Sequence, residues 1–98
     1  MTQFSINDID DVIHGRIRLG IMAYLIGAKR ASFKTIAEVL ETSDGNLSVH
    51  LRKLEEAGYI QIEKSFVGRK PLTEAEITTQ GQTAFVSYLD AMAKLGGG

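Results

Sequence analysis

The sequence predicts an α+β fold that is mainly helical, and three observations carry this prediction. An amphipathic helix with recognisable caps spans residues 44 to 57, and a shorter amphipathic helix comes just before it. Two alternating, strand-like runs follow over residues 59 to 78, ahead of a last helix at about residues 79 to 95. The 98 residues therefore predict one domain, residues 1 to 98, in which a helix-turn-helix at about 34 to 57 precedes a β-hairpin.

The chain before these segments predicts a short turn and a first long helix. Asn7 is the predicted cap of the turn, and the His14-Gly15 pair predicts a break. A helix with one apolar side is predicted from residue 16 to residue 26, ended by Gly27. A histidine such as His14 or His50 can titrate or sense a ligand, but it more often serves as a local hydrogen-bonding residue.

The next segment predicts the first half of a helix-turn-helix. A brief strand is predicted at residues 31 to 33, and residues 34 to 41 predict a two-turn amphipathic helix. The linker of residues 41 to 43 has the length that joins two steeply crossing helices. Lys34 and Thr35, at the start of this helix, would contact phosphate where it crosses a DNA backbone.

Both ends of the central helix can be predicted from single residues. Ser43 or Asp44 can accept hydrogen bonds from the first free backbone N–H groups, and Gly58 can adopt the left-handed conformation that ends helices. At about 100° per residue, three leucines fall on one side and predict a buried stripe. These are Leu47, Leu51 and Leu54.

The opposite side of the central helix has the chemistry expected of a DNA-reading surface. It carries small residues near its N-terminus, which allow close approach to a major groove, and cations beyond them that reach base edges and phosphates. Its residues are Gly45, Asn46, Ser48, Val49, Arg52, Lys53 and Glu56. Every amphipathic helix has a polar outside, so a solvated face on a small helical core is the alternative interpretation.

A basic hairpin is predicted directly after this helix. Residues 59 to 64 and 72 to 78 alternate as strands, and residues 65 to 71 predict a turn region that contains Gly68. Arg69 and Lys70 in this turn can reach phosphate or the minor groove. Cations are common in solvated turns, so it is the position after a helix-turn-helix that favours DNA contact.

The last helix predicts an additional packing surface. Thr78 can cap it, and its apolar residues recur every three or four positions, as in coiled coils. Because so short a helix is not stable alone, its apolar side must pack against something. We predict that it packs against a second copy of the chain in a homodimer, with folding back beside the first helix as the alternative.

Composition excludes several classes of site. The chain has no cysteine and two histidines, which disfavours disulfides and metal sites, and no metal or cofactor is expected. No apolar run approaches about 18 residues and no signal peptide is recognisable, so we expect a cytoplasmic protein without contact to a membrane. The net charge of −1 is unusual for a DNA-binding protein, but five of the cations lie within residues 45 to 70.

The order of these elements resembles the small winged-helix transcriptional regulators of bacteria and archaea that are related to the MarR and ArsR groups. The resemblance covers nearly the whole chain, and four segments carry it: residues 12 to 22, 44 to 60, 68 to 71 and 77 to 81. The second of these is the most specific. The resemblance implies a winged helix-turn-helix with a two- or three-stranded β wing and a C-terminal dimerisation helix.

The resemblance also implies how such a protein contacts DNA. The central helix would read the major groove of palindromic double-stranded DNA, the wing would contact the backbone or minor groove, and the first and last helices would form a homodimer. The resemblance implicates Asn46, Ser48, Val49, Arg52, Lys53, Arg69 and Lys70, which together with Lys34 and Thr35 of the preceding helix make up the predicted DNA-binding residues. The implied dimer-interface residues are Ile9, Ile13, Phe85, Tyr88, Leu89 and Met92.

The sequence departs from this family at several positions. Leu72, Glu74 and Glu76 stand where relatives are frequently basic or aromatic, which weakens the positive charge of the wing. Glu41 and Thr42 stand where relatives often have a small and a hydrophobic residue, so the turn is expected to differ. The ArsR-type metal ligands have no counterpart in a chain without cysteine, and a MarR-type ligand pocket has little room in 98 residues.

These observations favour a sequence-specific, DNA-binding transcriptional regulator that acts as a homodimer. The second interpretation is a winged-helix protein–protein interaction module without direct DNA binding, which the near-neutral charge and the acidic hairpin positions favour. An enzyme is the least favoured class, because the sequence has no Gly-rich phosphate loop, nucleophile elbow or HExxH motif.

Overall fold

The computed structural model of the chain describes residues 5 to 97, within which it forms four α-helices and one three-stranded sheet. A 3₁₀ turn, Ile6–Asp8, comes first. The remaining elements are α1 (Arg16–Ala28), β1 (Arg30–Ser32), α2 (Phe33–Leu40), α3 (Asp44–Glu56), β2 (Ile60–Val67), β3 (Lys70–Ile77) and α4 (Thr79–Gly97). The sheet is antiparallel with the order β1-β3-β2. The predicted α+β class and winged helix-turn-helix architecture are confirmed.

Side-chain caps begin three of the helices. The hydroxyls of Ser32 and Ser43 each accept a hydrogen bond from the backbone N–H three residues later, at 3.1 and 3.2 Å. Thr78 caps α4 in the same way at 2.9 Å. Gly58 follows α3 with a φ of 84°, a conformation that glycine adopts without steric cost. The predicted caps at Ser43 and Thr78 and the predicted role of Gly58 are confirmed.

Two predicted helix ends are wrong. The first turn is capped by Ser5 rather than Asn7, since the Ser5 hydroxyl accepts the Asn7 N–H at 3.2 Å. Helix α1 continues through Gly27 and ends where Lys29 takes a φ of 69°. A glycine inside a helix costs only about 1 kcal/mol, which the packing of α1 against its neighbours outweighs.

The core is built around α1, which contacts α2, α3, α4 and β3. The predicted leucine stripe of α3 is buried within it. Burying each such side chain stabilises the fold by about 1.5 to 3 kcal/mol. The side chains without any exposed surface are Ile13, Ile21, Met22, Leu25, Ile36, Leu47 and Leu54.

Helix α4 folds back beside α1 in the same chain. Phe85 and Tyr88 are buried there, and the Tyr88 hydroxyl lies 2.9 Å from Nδ1 of His14. Ile9 and Ile13 belong to the same core cluster. Four of the six predicted dimer-interface residues are thus covered by their own chain.

Although α4 has 19 residues, no helix among the described residues is long and apolar enough to cross a membrane.

Candidate nucleic-acid interface

The outward side of α3 is open to solvent along its length. All five residues predicted there to bind DNA are exposed. They are Asn46, Ser48, Val49, Arg52 and Lys53. Val49 retains 51% of its surface.

A groove separates α3 from the wing, the hairpin formed by β2 and β3. Ser48 and Arg52 line its helical wall, while Lys64 and Thr73 line the wall formed by the hairpin. Lys64 is an additional cation of this surface that was not among the predicted DNA-binding residues. Lys64 follows Ile60 and Ile62 at every second position, so strand alternation places it on the side that faces α3. The prediction assigned DNA contact only to the turn.

The wing is attached rigidly to the end of α3. The Ile62 N–H donates a hydrogen bond to the Glu55 carboxylate at 3.3 Å, and the Tyr59 N–H donates to the Leu54 carbonyl at 3.0 Å. The Tyr59 hydroxyl donates to Asp10, and burial, together with this carboxylate, raises the pKa of Tyr59 to about 12. These hydrogen bonds hold the start of β2 against the end of α3, so the two walls of the groove are fixed relative to each other.

The wing is longer than predicted, because pairing continues to Val67 and Lys70 and leaves only Gly68 and Arg69 in the turn. The prediction that residues 65 to 71 form a turn region is wrong. Gly68 has a φ of 65°, so it can close a tight turn that leaves the flanking residues in the ladder. Arg69 and Lys70 are exposed at the end of this long hairpin.

The two sides of the wing have different charges. Because side chains alternate across a strand, the paired positions Ile62 and Ala75, then Lys64 and Thr73, share the side that faces α3. The pair Glu63 and Glu74 lies on the opposite side. The acidic positions that set this hairpin apart from its relatives therefore face away from the groove.

Arg30 of β1 holds these carboxylates on the back of the sheet. Its guanidinium donates to Glu74 at 3.0 Å and Glu76 at 2.9 Å, and also to Glu63. The hydrogen bond to Glu74, followed by that to Glu63, raises the pKa of Arg30 above its ordinary value. Three carboxylates and one guanidinium leave a net charge of −2 in this cluster. The cations that face the groove are spatially separated from this charge.

The two predicted residues of α2 lie at its N-terminus, and Lys34 is beside the half of β3 that is nearer to the turn. Lys34 is exposed and lines a depression that also includes Pro71 and Thr73. Thr35 is half-buried, and its hydroxyl accepts a hydrogen bond from Ser32 at 2.9 Å. The proton of the Thr35 hydroxyl is therefore available for donation to a further acceptor such as phosphate.

Beside Lys53, the flank of α3 is tied to the N-terminal segment through Arg18. Its guanidinium donates to Nδ1 of His50 at 3.0 Å and to the Val12 carbonyl. A guanidinium has no acceptor, so Nδ1 must be the unprotonated nitrogen of a neutral imidazole. Burial, then the charges of Arg18 and Lys53, lower the pKa of His50.

This contact predicts a pH dependence of stability. Because the pKa of His50 is lower in the folded chain than its ordinary 6.5, the unfolded chain binds more protons below that pH. The contribution of neutral His50 to the stability of the fold is complete above pH 6.5 and is lost as the pH falls below that value. We expect the free energy of unfolding, measured in urea, to fall more steeply on acidification for wild type than for His50→Gln. The glutamine amide oxygen can still accept a hydrogen bond from Arg18. Parallel pH profiles for the two proteins would contradict this assignment.

Comparisons with known proteins agree with this geometry. Residues 17–95 match the family model described as winged helix DNA-binding domain. The chain is 34% identical over 84 residues to the uncharacterized protein MJ0432 of Methanocaldococcus jannaschii, covering 86% of this chain and 91% of that protein.

Two solved structures extend the comparison. A transcriptional regulator homologue from Pyrococcus horikoshii OT3 superposes with a TM-score of 0.83 at 32% identity, over 88% of this chain and 85% of that one. The ArsR family transcriptional regulator RHA00566 shares the fold at 20% identity, with a TM-score of 0.63 over 99% of this chain and 97% of that one. The predicted resemblance to winged-helix regulators is confirmed, and the chain belongs to the family of winged helix DNA-binding domains.

Proposed function

We propose that this protein is a transcriptional regulator that binds double-stranded DNA as a homodimer. One observation carries the proposal: Arg52 of α3 and Lys64 of the wing border a single groove, while Glu63 and Glu74 face away from it. Among the described residues that line the groove, the one carboxylate is that of Glu55, which accepts a hydrogen bond from the Ile62 N–H. The family match and the similarity to a transcriptional regulator homologue support the same function.

Each α3 would enter a major groove, which is about 12 Å wide and admits a helix. Asn46 and Ser48 near its N-terminus can hydrogen-bond base edges, and the methyl groups of Val49 can contact a thymine methyl. Arg52 and Lys53 lie further along and can reach guanine or phosphate. On the wing, Lys64, Arg69 and Lys70 would contact phosphates or the minor groove.

The proposed dimer uses the side of α4 that its own chain leaves uncovered. Val86 and Leu89, one helical turn apart, are 61% and 50% exposed. Leu89 and the half-buried Met92 are the predicted interface residues that retain surface. Burying this apolar side against a second copy would remove it from water and set the distance between the two α3 helices.

A charged α4 is expected to abolish the dimer without unfolding the chain. The double variant Val86→Glu, Leu89→Glu places two carboxylates on the exposed apolar side, where two copies would bring them together. Sedimentation should report the mass of a monomer for this variant and of a dimer for wild type. Ser87→Glu, a change at an exposed polar position of the same helix, should remain dimeric. A double variant with the mass of a dimer would contradict the interface.

Hydroxyl-radical footprinting on a bound duplex tests the proposed arrangement directly. A two-fold dimer should protect two segments whose centres lie about one helical turn, or about 34 Å, apart. The α4 variant should protect one segment at most. Protection of one short segment by the wild-type protein would contradict the two-fold arrangement.

A docking module is the second candidate because of the acidic side of the wing. The cluster of Arg30 with three glutamates on that side has a net charge of −2, which suits a basic protein partner rather than DNA. Failure of the folded protein to retard any duplex at low salt would favour this candidate.

A further inference from the structure

Two large apolar side chains at the end of the wing have no role in the core. Phe66 is 73% exposed and Val67 is 65% exposed. They immediately precede the turn of Gly68 and Arg69, at the far end of the hairpin from the buried pair of Ile60 and Ile77. The fold does not require an aromatic residue at this position.

The register of the hairpin places these two side chains on opposite sides. Phe66 lies across from Pro71 and follows Lys64 on the side that lines the groove with α3. Val67 lies across from Lys70 on the same side as Glu63, facing away from α3. Only Phe66 is therefore directed toward the surface that the proposed function assigns to DNA.

The length of the wing separates Phe66 from the buried part of the hairpin. Ile62 is the last half-buried residue of β2 on this side, and Phe66 is four residues further along. At about 3.3 Å per residue, this is roughly 13 Å. When a helix occupies the major groove, a projection of this length reaches toward the neighbouring minor groove.

The surroundings of Phe66 select nucleic acid as the occupant. Lys64 lies on the same side of the hairpin as Phe66, Arg69 lies in the turn beyond it, and both are exposed, so any surface that covers the phenyl ring must also carry negative charge. Phosphates on the two edges of a minor groove provide that negative charge, and the sugars and bases between them provide apolar surface. Pro71, directly opposite in the ladder, stiffens the strand behind the ring.

We propose that Phe66 is an apolar wedge that contacts the sugars and one base step of the minor groove flanking each α3 half-site. Arg69 and Lys70 hold the adjacent phosphates. The inference rests on the proposed DNA binding and adds a source of specificity outside the major groove. A flexible pyrimidine–purine step, such as TA, is preferred at the wedge position because it unstacks at the lowest cost.

Affinity measurements on a duplex selected by wild type test the wedge, with the neighbouring residue as a matched control. Phe66→Ala should bind about tenfold more weakly, with an unchanged dependence on salt because the substitution removes no charge. Val67→Ala should bind like wild type. The double variant Arg69→Ala, Lys70→Ala should instead reduce the salt slope, by about 0.9 for each phosphate that the protein no longer neutralises.

Tryptophan fluorescence provides a second readout, since the chain contains no tryptophan. Phe66→Trp should be quenched on binding the duplex, because the indole lies against a base step, whereas Val67→Trp should keep its emission. Both positions are exposed, so neither substitution disturbs the core.

The possible outcomes separate the wedge from the proposed function. If wild type binds the duplex and Phe66→Ala binds it equally well, the wedge is overturned and the proposed function stands. Equal quenching of the tryptophans at positions 66 and 67 has the same meaning. A Phe66→Ala protein that loses dimer mass but keeps its DNA affinity assigns the ring to a protein interface and also overturns it. If wild type binds no duplex at low salt, both proposals fail.

Discussion

Arg52→Ala is expected to weaken binding to a selected duplex by about tenfold to a hundredfold. Arg52 is exposed on the wall of the groove between α3 and the wing, where it can donate to guanine or phosphate. A well-placed arginine contact of this kind contributes about 1 to 3 kcal/mol. Fluorescence anisotropy at one fixed salt concentration measures the change.

Lys94→Ala is the matched control for this prediction. It removes the same charge from the exposed end of α4, where Lys94 pairs with Asp90 at 3.3 Å. We expect its DNA affinity to stay close to that of wild type, because an exposed helical ion pair contributes little. Equal decreases in affinity for the two variants would mean that overall charge, rather than the α3 surface, determines binding.

Gly81→Ala is expected to destabilise the fold strongly. A Cβ atom at Gly81 would lie 2.1 Å from the Tyr59 carbonyl oxygen, which is backbone and cannot rotate away. The first turn of α4 is also joined to this region by the Thr78 hydroxyl, which donates to the Gly58 carbonyl at 2.6 Å. We expect the free energy of unfolding to fall by about 3 kcal/mol or more in urea titrations.

Gly27→Ala is the corresponding control. Gly27 lies inside α1 and a Cβ atom there would have no neighbour within 4 Å. Because alanine has the higher helix propensity, this variant should gain about 0.5 to 1 kcal/mol. If Gly81→Ala were as stable as wild type, the close approach of α4 to the start of the wing would be contradicted.

Much of the fold could be predicted because local rules and tertiary packing agree. The leucine stripe of α3, its serine cap and Gly58 each follow from spacing or backbone preference, and all three are confirmed. The predicted wing turn was too long because Ser65, Gly68 and Pro71 are residue types that favour turns, although Phe66 and Val67 between them favour strands. Cross-strand pairing, which a local pattern does not contain, extends both strands to the turn.

The surface was harder to predict, because it depends on which elements lie side by side. Glu74 and Glu76 were expected to weaken the positive charge of the wing, but Arg30 on β1 pairs with both of them on the back of the sheet. The apolar spacing of α4 predicted a packing surface without identifying its partner. In the structure, α4 packs beside α1 of the same chain, Phe85 and Tyr88 are buried, and the proposed dimer keeps only Leu89 and Met92 of the predicted set, joined by Val86.

Selection of binding sequences from random duplex DNA, followed by affinity measurements at several salt concentrations, tests the central claim most directly. We expect enrichment of a palindrome with half-sites about one helical turn apart, and an affinity that falls steeply as salt rises. Enrichment of no sequence by a folded protein would contradict the assignment of α3 and the wing to DNA.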